Sequence, residues 1–393
     1  MNPEKKKQKK VVQPLAFGIY LWTAVVLAAI GLADSIYLSI SHYRNYTDIG
    51  YESFCALSRA INCDTVSQSP YAIFLGIPVP VWGVIGYVFF LLLLLIAGTR
   101  AARPKRVWAM LVVVALLYSG YSVVLAVISH FYIHSYCIMC IVSYGINFLL
   151  LFYTWLVRRR FEIDRFAMSL RQDLVFLWQK RHFSTAVFLP FFAGVMILWF
   201  SIPAYWSLKP EAIAADVATG LTSDGHPWIG SENPPLVITE FADYLCFQCS
   251  KMHFYLRQLA ARYPGKIKII HRQFPMDHAV NPIVQKPLHQ GSGILALLAI
   301  YAGTEGRFWQ MNDYLFANAR GETKIDLRTV ADAVGVDYNK LAQSIRMPRI
   351  RRQLHADIID GLKLGIDGTP AFLIDGRLYT AQIPPEVLTR AIK

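Results

Sequence analysis

The residues that could carry chemistry are six cysteines, which fall into three closely spaced pairs: Cys55 with Cys63, Cys137 with Cys140, and Cys246 with Cys249. Paired thiols can form structural disulfides, bind zinc or pass electrons by thiol–disulfide exchange. A zinc ribbon needs its second CxxC about 15 to 20 residues away, whereas a whole apolar segment and a basic loop separate Cys140 from Cys246. We therefore predict no metal site.

Cys246 and Cys249 follow a β-rich run, Pro235 to Ala242, and open a helical pattern that continues to Arg262. Cys246 is then expected at a helix N-terminus, where backbone N–H groups and the helix dipole stabilise a thiolate. Cys249 lies one turn further and is expected to be more buried. The pattern predicts a nucleophilic thiol and its resolving partner, with a structural disulfide as the alternative.

Cys137 and Cys140 stand at the start of an apolar helical pattern. A thiolate at that end also gains from the helix dipole while it faces reagents dissolved in the membrane. Because free cysteine packs as a small hydrophobe, a purely structural role is the alternative.

The elements that position these cysteines are mostly membrane spans. Of 393 residues, 55% are hydrophobic and only 17% are charged, which is too apolar for an ordinary soluble protein. Crossing the hydrocarbon core of a bilayer takes roughly 20 helical residues. Five apolar stretches are long enough, and they run near Leu15 to Ile40, Val79 to Gly98, Val107 to His130, Ser135 to Val157, and Ser184 to Ala204.

Basic residues predict the orientation of these spans. Lysines at positions 5, 6, 7, 9 and 10 precede the first span, which reads as an uncleaved signal anchor. Further clusters follow the second and fourth spans, whereas the loop from Ser41 to Pro78 holds only Arg44 and Arg59. By the positive-inside rule, all three cysteine pairs lie in the external, oxidising compartment. The net charge of +13 is therefore a topology signal and does not indicate nucleic-acid binding.

The rest of the chain predicts two further features. A helical pattern from Phe166 to Trp178 suits a helix in the cytoplasmic interface, with a soluble connector as the alternative. Beyond the last span, strand candidates at Lys266 to Phe274 and Ala371 to Asp375 flank a long helical region from Pro287 to Gly365. This order, with a closing helix after Pro385, predicts an α/β domain with a helical insertion.

Two stretches resemble DsbA-type thioredoxin-fold oxidoreductases. They are Phe241-Ala-Asp-Tyr-Leu-Cys-Phe-Gln-Cys249 and Gly368-Thr-Pro-Ala-Phe-Leu-Ile-Asp-Gly376. The resemblance implies that Cys246 and Cys249 are catalytic and that Pro370 is cis. It also implies that Thr369 and Pro370 lie against the CxxC motif and bind the substrate chain.

The membrane part resembles the vitamin K epoxide reductase (VKOR) family. The marks are Cys137-Ile-Met-Cys-Ile-Val-Ser-Tyr-Gly-Ile-Asn147, together with Gly31, Ser35, Tyr37, Cys55, Cys63 and Ser69. This resemblance implies a four-helix bundle and a quinone, ubiquinone or menaquinone, as cofactor. It implies that Cys55 exchanges with the thioredoxin-like domain, Cys63 with Cys137, and that Cys140 faces the quinone. Tyr144 would bond a quinone oxygen, and Ser69 would shape the same pocket.

The predicted architecture is a multi-domain membrane protein. Residues 1–14 form a cytoplasmic basic N-terminus, 15–157 an all-α transmembrane four-helix bundle, and 158–183 a cytoplasmic interfacial loop or helix. Residues 184–204 form a fifth transmembrane helix, 205–224 a linker, and 225–393 an α/β thioredoxin-like domain in the periplasm. The expected location is the bacterial inner membrane.

The predicted function is a membrane thiol–disulfide oxidoreductase that makes disulfides in exported proteins and passes the electrons through three cysteine pairs to a membrane quinone. Its expected partners are reduced exported proteins, membrane lipid and the quinone pool. Three alternatives remain open: a quinone-epoxide reductase, a reductive or isomerase relay, and a membrane-anchored chaperone without enzymatic activity. Asp34, within the first span, either belongs to the quinone pocket or only extends its side chain to the nearby membrane surface.

Overall fold

The computed structural model describes residues 15–57, 61–103, 105–161, 163, 165–206, 217–319 and 325–392. The predicted basic N-terminus, Arg59 and most of the predicted linker lie outside these ranges. The described residues divide into two compact units. The first comprises residues up to Asn45 together with Glu52–Ala204, and the second comprises Tyr46–Tyr51 and the residues from Tyr205 onward.

The first unit is helical. Its elements in chain order are α1 (Phe17–Thr47), α2 (Cys63–Ser67), β1 (Ile73–Phe74), β2 (Ile77–Pro78), α3 (Val79–Ala97), α4 (Trp108–Ile128), α5 (Ile138–Arg160), α6 (Phe166–Gln179) and α7 (Arg181–Ser201). Five of these helices, α1, α3, α4, α5 and α7, are long and apolar enough to cross a membrane, as predicted. The fifth, α7, buries almost none of its apolar surface within the unit, which suits a helix surrounded by lipid.

Two helices of this unit extend or refine the predictions. Helix α1 continues to Thr47, beyond the predicted end at Ile40, because Ser41, His42 and Asn45 in its last turns are buried and the amide of Asn45 donates to Asp64 at 3.0 Å. Helix α6 matches the helix predicted near Phe166 to Trp178. Its buried Asp173 accepts the backbone N–H of Val107 at 2.8 Å and that of Ala109 at 3.0 Å, which caps the beginning of α4.

The second unit contains a six-stranded sheet. Its elements are β3 (Thr219–Leu221), β4 (Pro227–Gly230), β5 (Leu236–Ala242), α8 (Phe247–Arg262), β6 (Ile267–Gln273), α9 (Ser292–Thr304), α10 (Phe308–Asn318), α11 (Leu327–Val334), α12 (Tyr338–Ser344), α13 (Pro348–Lys363), β7 (Ala371–Ile374), β8 (Arg377–Thr380) and α14 (Pro385–Ile392). The strand order is β3-β4-β6-β5-β7-β8, with β5 parallel to β6 and antiparallel to β7. Five helices inserted between β6 and β7 complete a thioredoxin-like fold, which confirms the predicted fold class.

The sheet begins earlier in the chain than predicted. Thr219–Leu221 falls within the predicted linker 205–224, but the structure pairs it with β4 as an edge strand. The strand is too short to show a hydrophobic alternation in the sequence. Gly220 allows it to form, because a Cβ at this position would collide with the indole of Trp228. The prediction for the end of the linker was therefore wrong.

Candidate functional site

The loop between α1 and α3 holds the first cysteine pair as a formed disulfide, Cys55 to Cys63. Cys63 begins α2, and the side chain of Asn62 caps that helix by accepting the backbone N–H of Asp64 at 2.9 Å. The Asp64 carboxylate in turn accepts a hydrogen bond from Asn45 at the end of α1. These contacts hold the disulfide in a defined place on the first unit.

Cys137 lies directly beside this loop. The backbone N–H of Asn62 donates to the carbonyl oxygen of Tyr136 at 2.9 Å, which joins the loop to the residue before Cys137. Cys55, Cys63 and Cys137 form one buried cluster, with exposed fractions of 0%, 3% and 3%. The structure therefore brings Cys137 next to the Cys55–Cys63 pair, which is far from it in the sequence.

Cys137 also caps α5, since its sulfur accepts the backbone N–H of Cys140 at 3.1 Å. This is the helix N-terminal position predicted from the sequence, where a thiolate is stabilised. Cys137 and Cys140 are both free thiols in the structure, and Cys140 is more exposed than Cys137.

A cavity of about 670 Å³ opens beside Cys140 within the first unit. Ser143, Tyr144 and Asn147 come three, four and seven residues after Cys140 on α5, so one face of the helix supplies all four to the cavity wall. Most of the remaining lining is apolar and comes from α3, α4 and α7, while α1 and the segment from α2 to β1 add further residues. Such a cavity suits a mainly apolar molecule with few polar groups.

Both residues predicted to form a quinone pocket line this cavity. Tyr144 lies one helical turn after Cys140, and Ser69 follows α2 in the loop that carries the disulfide. The Ser69 hydroxyl donates to the carbonyl oxygen of Val66 at 2.8 Å, so it is held against its own loop. The structure thus places Ser69 and Tyr144 at one cavity with Cys63, Cys137 and Cys140.

Sequence reasoning missed a polar network in the same wall. The Tyr87 hydroxyl donates to the side-chain oxygen of Asn147 at 2.7 Å, and the Asn147 amide donates to the Ser122 hydroxyl at 2.9 Å. Gly31 on α1 makes room for this arrangement, because a Cβ there would overlap the Tyr87 ring. The only available signal was the presence of Gly31 and Asn147 within the motifs that resemble the VKOR family.

The third cysteine pair lies in the second unit, at the N-terminus of α8. The Cys246 sulfur accepts the backbone N–H of Cys249 at 3.2 Å, and the Cys246 thiol donates to the carbonyl oxygen of Thr369 at 3.4 Å. The Thr369–Pro370 peptide bond is cis, as the resemblance implied. Because β5 pairs directly with β7, the segment that ends in Pro370 lies against the CxxC motif.

Asp243 and His289 form the electrostatic surroundings of Cys246, and neither was predicted. The buried Asp243 carboxylate accepts the Ser292 hydroxyl at 2.9 Å and the backbone N–H of Met276 at 2.6 Å. It lies 3.1 Å from Nδ1 of His289, in the segment before α9. These contacts fix the position of His289. The CxxC motif alone does not indicate this residue, because His289 lies 40 residues after Cys249 in the sequence.

The two thiols of this pair differ in acidity. Burial raises the pKa of Cys246, but the hydrogen bond with Cys249, the charge of His289 and the Cys249 backbone N–H outweigh it, and the pKa falls to about 7. Burial, together with the hydrogen bond and the charge of Cys246, raises the pKa of Cys249 well above its ordinary value. Cys246 is therefore the more acidic thiol of the pair, which is the property that a nucleophile and leaving group needs.

We expect the rate of Cys246 alkylation in the reduced protein to rise with pH around a midpoint of about 7. A positive charge stabilises the thiolate, so removing it in His289→Ala should move the midpoint upward, toward that of an ordinary thiol. The measurement is the iodoacetamide rate against pH, followed by mass spectrometry at Cys246. His278→Ala is the matched control, since His278 is half-exposed and pairs with Asp277 instead. An unchanged midpoint in His289→Ala would contradict this assignment.

Comparison with known families matches each unit separately. Residues 22–155 match the vitamin K epoxide reductase family. Residues 222–393 match a family described as thioredoxin.

Individual proteins are similar over part of the chain. The Na(+)/H(+) antiporter NhaA 1 of Mycobacterium sp. (strain KMS) is 22% identical over 190 residues, which are 48% of this chain and 30% of that protein. The chain thus spans less than a third of this relative's length. Among solved structures, the thiol-disulfide exchange protein alpha-DsbA2 from Wolbachia pipientis has 21% identity and a TM-score of 0.34, covering 42% of this chain and 85% of its own. BdbD from Bacillus subtilis has 18% identity and a TM-score of 0.36, covering 45% and 96%.

Proposed function

We propose that this chain makes disulfide bonds in exported proteins and passes the electrons to a membrane quinone. Residues 22–155 belong to the vitamin K epoxide reductase family, and residues 222–393 form a thioredoxin-like domain. Both domains are those of thiol–disulfide oxidoreductases. The observation that carries the proposal is the convergence of Cys63, Cys137 and Cys140 on one apolar cavity. A relay needs such a junction between thiols and a membrane-soluble acceptor.

The proposed entry point is the oxidised Cys246–Cys249 pair. A substrate thiolate attacks the Cys246 sulfur, the disulfide with Cys249 breaks, and a mixed disulfide forms. A second substrate thiol displaces Cys246, leaving an oxidised substrate and a reduced pair. The lowered pKa of Cys246 supports this direction, because a more acidic thiol leaves faster. Thr369 and Pro370, against the motif, are proposed to hold the substrate chain.

The proposed second step returns the Cys246–Cys249 pair to its oxidised state. Cys246 attacks the Cys55–Cys63 disulfide at Cys55, and Cys249 then resolves the mixed disulfide. Because both loop sulfurs are buried, this exchange requires the loop to move. Both domains belong to one chain, which raises their effective concentration for each other and allows weak docking to suffice.

The proposed third step transfers the electrons into the membrane domain. Cys63 attacks Cys137 of the oxidised Cys137–Cys140 pair, and Cys140 leaves as a thiolate. Cys55 then attacks Cys63 of the mixed disulfide, which releases Cys137 and restores the Cys55–Cys63 disulfide. The buried cluster of Cys55, Cys63 and Cys137 supports this order, since it packs the loop pair against Cys137.

The residues around Cys140 fit a quinone. The cavity is mainly apolar and of the size of typical ligand sites, about 300 to 1,000 Å³. The VKOR family is coupled to quinones in general, and a bound quinone supplies an acceptor for two electrons and two protons. We propose that Tyr144 donates a hydrogen bond to a quinone oxygen, that Ser69 shapes the pocket, and that ubiquinone or menaquinone is the form used.

The five apolar helices fit a multi-pass membrane protein. We propose that it lies in the bacterial inner membrane with the thioredoxin-like domain and all six cysteines on the periplasmic side. The support is the placement of Lys and Arg next to alternate spans. Cysteine accessibility to an impermeant thiol reagent in intact cells, after reduction, tests this orientation.

The function is tested by anaerobic turnover of the purified protein with a reduced, unfolded thiol protein and a quinone. We expect one quinone to be reduced for each disulfide formed. Cys140→Ala and Cys246→Ala should each lower the rate by about 1000-fold, because each removes a covalent step. Thr154→Val, a buried change on α5 remote from Cys140, is the control. If the wild type does not reduce quinone while its CxxC pairs stay oxidised, the proposal is wrong, and the result favours the quinone-epoxide reductase or the chaperone alternative.

A further inference from the structure

Asp34 is the only acidic residue in the five long apolar helices. It lies on α1 with 6% of its surface exposed. Neither Lys nor Arg pairs with it among the described residues, and its Oδ1 atom has no hydrogen-bond partner there. A buried acid with an unsatisfied oxygen costs free energy, so its presence within a span is a sign of function.

One hydroxyl connects Asp34 to the cavity. The Ser143 hydroxyl donates a hydrogen bond to Oδ2 of Asp34, from α5 to α1. Ser143 also lines the cavity and lies one helical turn after Cys140. The Ser143 oxygen can accept a second hydrogen bond through a lone pair, so a proton can pass through this hydroxyl to Asp34. Asp34 itself does not line the cavity, so Ser143 is its route to the redox site.

We propose that Asp34, acting through Ser143, carries protons between the Cys137–Cys140 dithiol and the acceptor in the cavity. The proposal rests on the proposed function. Oxidation of the dithiol breaks two S–H bonds, forms one S–S bond and releases two electrons and two protons. The electrons and protons reduce the quinone to its quinol. Asp34 receives a thiol proton through Ser143 and returns one toward the acceptor, so its own charge is unchanged over a turnover.

Asp34 is a positioning and proton-carrying residue here, because it acts through Ser143. The cavity wall is mainly apolar and offers few groups that bind protons, so an internal carrier accelerates proton transfer beside Cys140. General acid–base catalysis of this kind contributes about 100-fold or more. A side chain that only links α1 to α5 would stabilise the fold without changing the rate of proton transfer.

The test uses the full-length protein with Asp34→Asn, which keeps the size and the acceptor oxygen for Ser143. The Cys137–Cys140 pair is first reduced with a small dithiol, and a single turnover with quinone is followed anaerobically. We expect the rate to fall by about 100-fold while the quinone concentration giving half the maximal rate stays the same. The slowed step should show a larger solvent deuterium isotope effect. Ser143→Ala should give a similar loss, and Asp34→Glu should restore part of the rate.

A second readout does not depend on turnover. The infrared difference spectrum between the oxidised and reduced protein should contain a carboxyl band of Asp34, which changes frequency but not protonation when the nearby dithiol is oxidised, and this band should be absent in Asp34→Asn. Thr154→Val serves as the matched control, with an unchanged rate and band. A wild-type rate in Asp34→Asn, or a band that persists, would overturn the inference. If the wild type reduces no quinone at all, the proposed function fails instead, and the two failures are thus distinct.

Discussion

Replacing Cys249 with serine is expected to stop turnover with Cys246 joined covalently to Cys55. In the proposed relay, Cys246 attacks the loop disulfide and Cys249 resolves the product. Serine cannot perform the second attack, so the mixed disulfide persists and the rate of quinone reduction falls by about 1000-fold or more. The raised pKa of Cys249 keeps its thiol protonated near neutral pH, so we expect its attack to be the slower step of the exchange.

The cross-link is measured by proteolysis without reduction, followed by mass spectrometry of the joined peptides. Cys246→Ser is the matched control, since it should lose the same activity without forming any cross-link. A link from Cys246 to Cys137 or Cys140 would show that the loop pair is bypassed. No link at all, with full activity, would show that Cys249 is not the resolving thiol.

Replacing both loop cysteines, Cys55 and Cys63, with serine is expected to uncouple the two halves of the relay. Quinone reduction driven by a protein thiol should fall by about 1000-fold, because the Cys246–Cys249 pair loses its partner. Reduction driven by a small dithiol should stay within about tenfold of wild type, since Cys140 is partly exposed at the cavity and needs no carrier protein.

Two steady-state rates, one with each reductant, distinguish these outcomes. Thr65→Ala is the control, an exposed change on the same short helix α2. If the double variant still oxidises protein thiols at the wild-type rate, electrons pass directly from the thioredoxin-like domain to Cys137 and Cys140. If both rates vanish, the loop disulfide is needed to build the cavity, and the carrier role is not supported.

Much of this architecture follows from local sequence. The spans are determined by the length of apolar runs, because a bilayer of fixed thickness sets a minimum helix length. The positions of Cys137 and Cys246 as helix caps follow from the change of pattern at each CxxC motif, which the structure confirms. Strands β5 and β6 were predictable because each is buried and rich in β-branched residues.

The resemblance to known families added what local patterns could not. It identified Ser69 and Tyr144 as residues of one pocket, and the structure places both at the cavity beside Cys140. It also anticipated the cis bond before Pro370. These features depend on contacts between distant segments, which periodicity does not encode.

By itself, the sequence determined which cysteines exist in pairs, which helices are apolar enough to span a membrane, and which thiols begin a helix, because these properties depend on neighbours within a few residues. Only the tertiary structure decided that His289 would stand beside Asp243 near Cys246, and that Asp34 would meet Ser143. The physical reason is that electrostatic and hydrogen-bond effects depend on distance in space. Packing of the sheet and of the helices sets that distance, and no spacing along the chain reveals it.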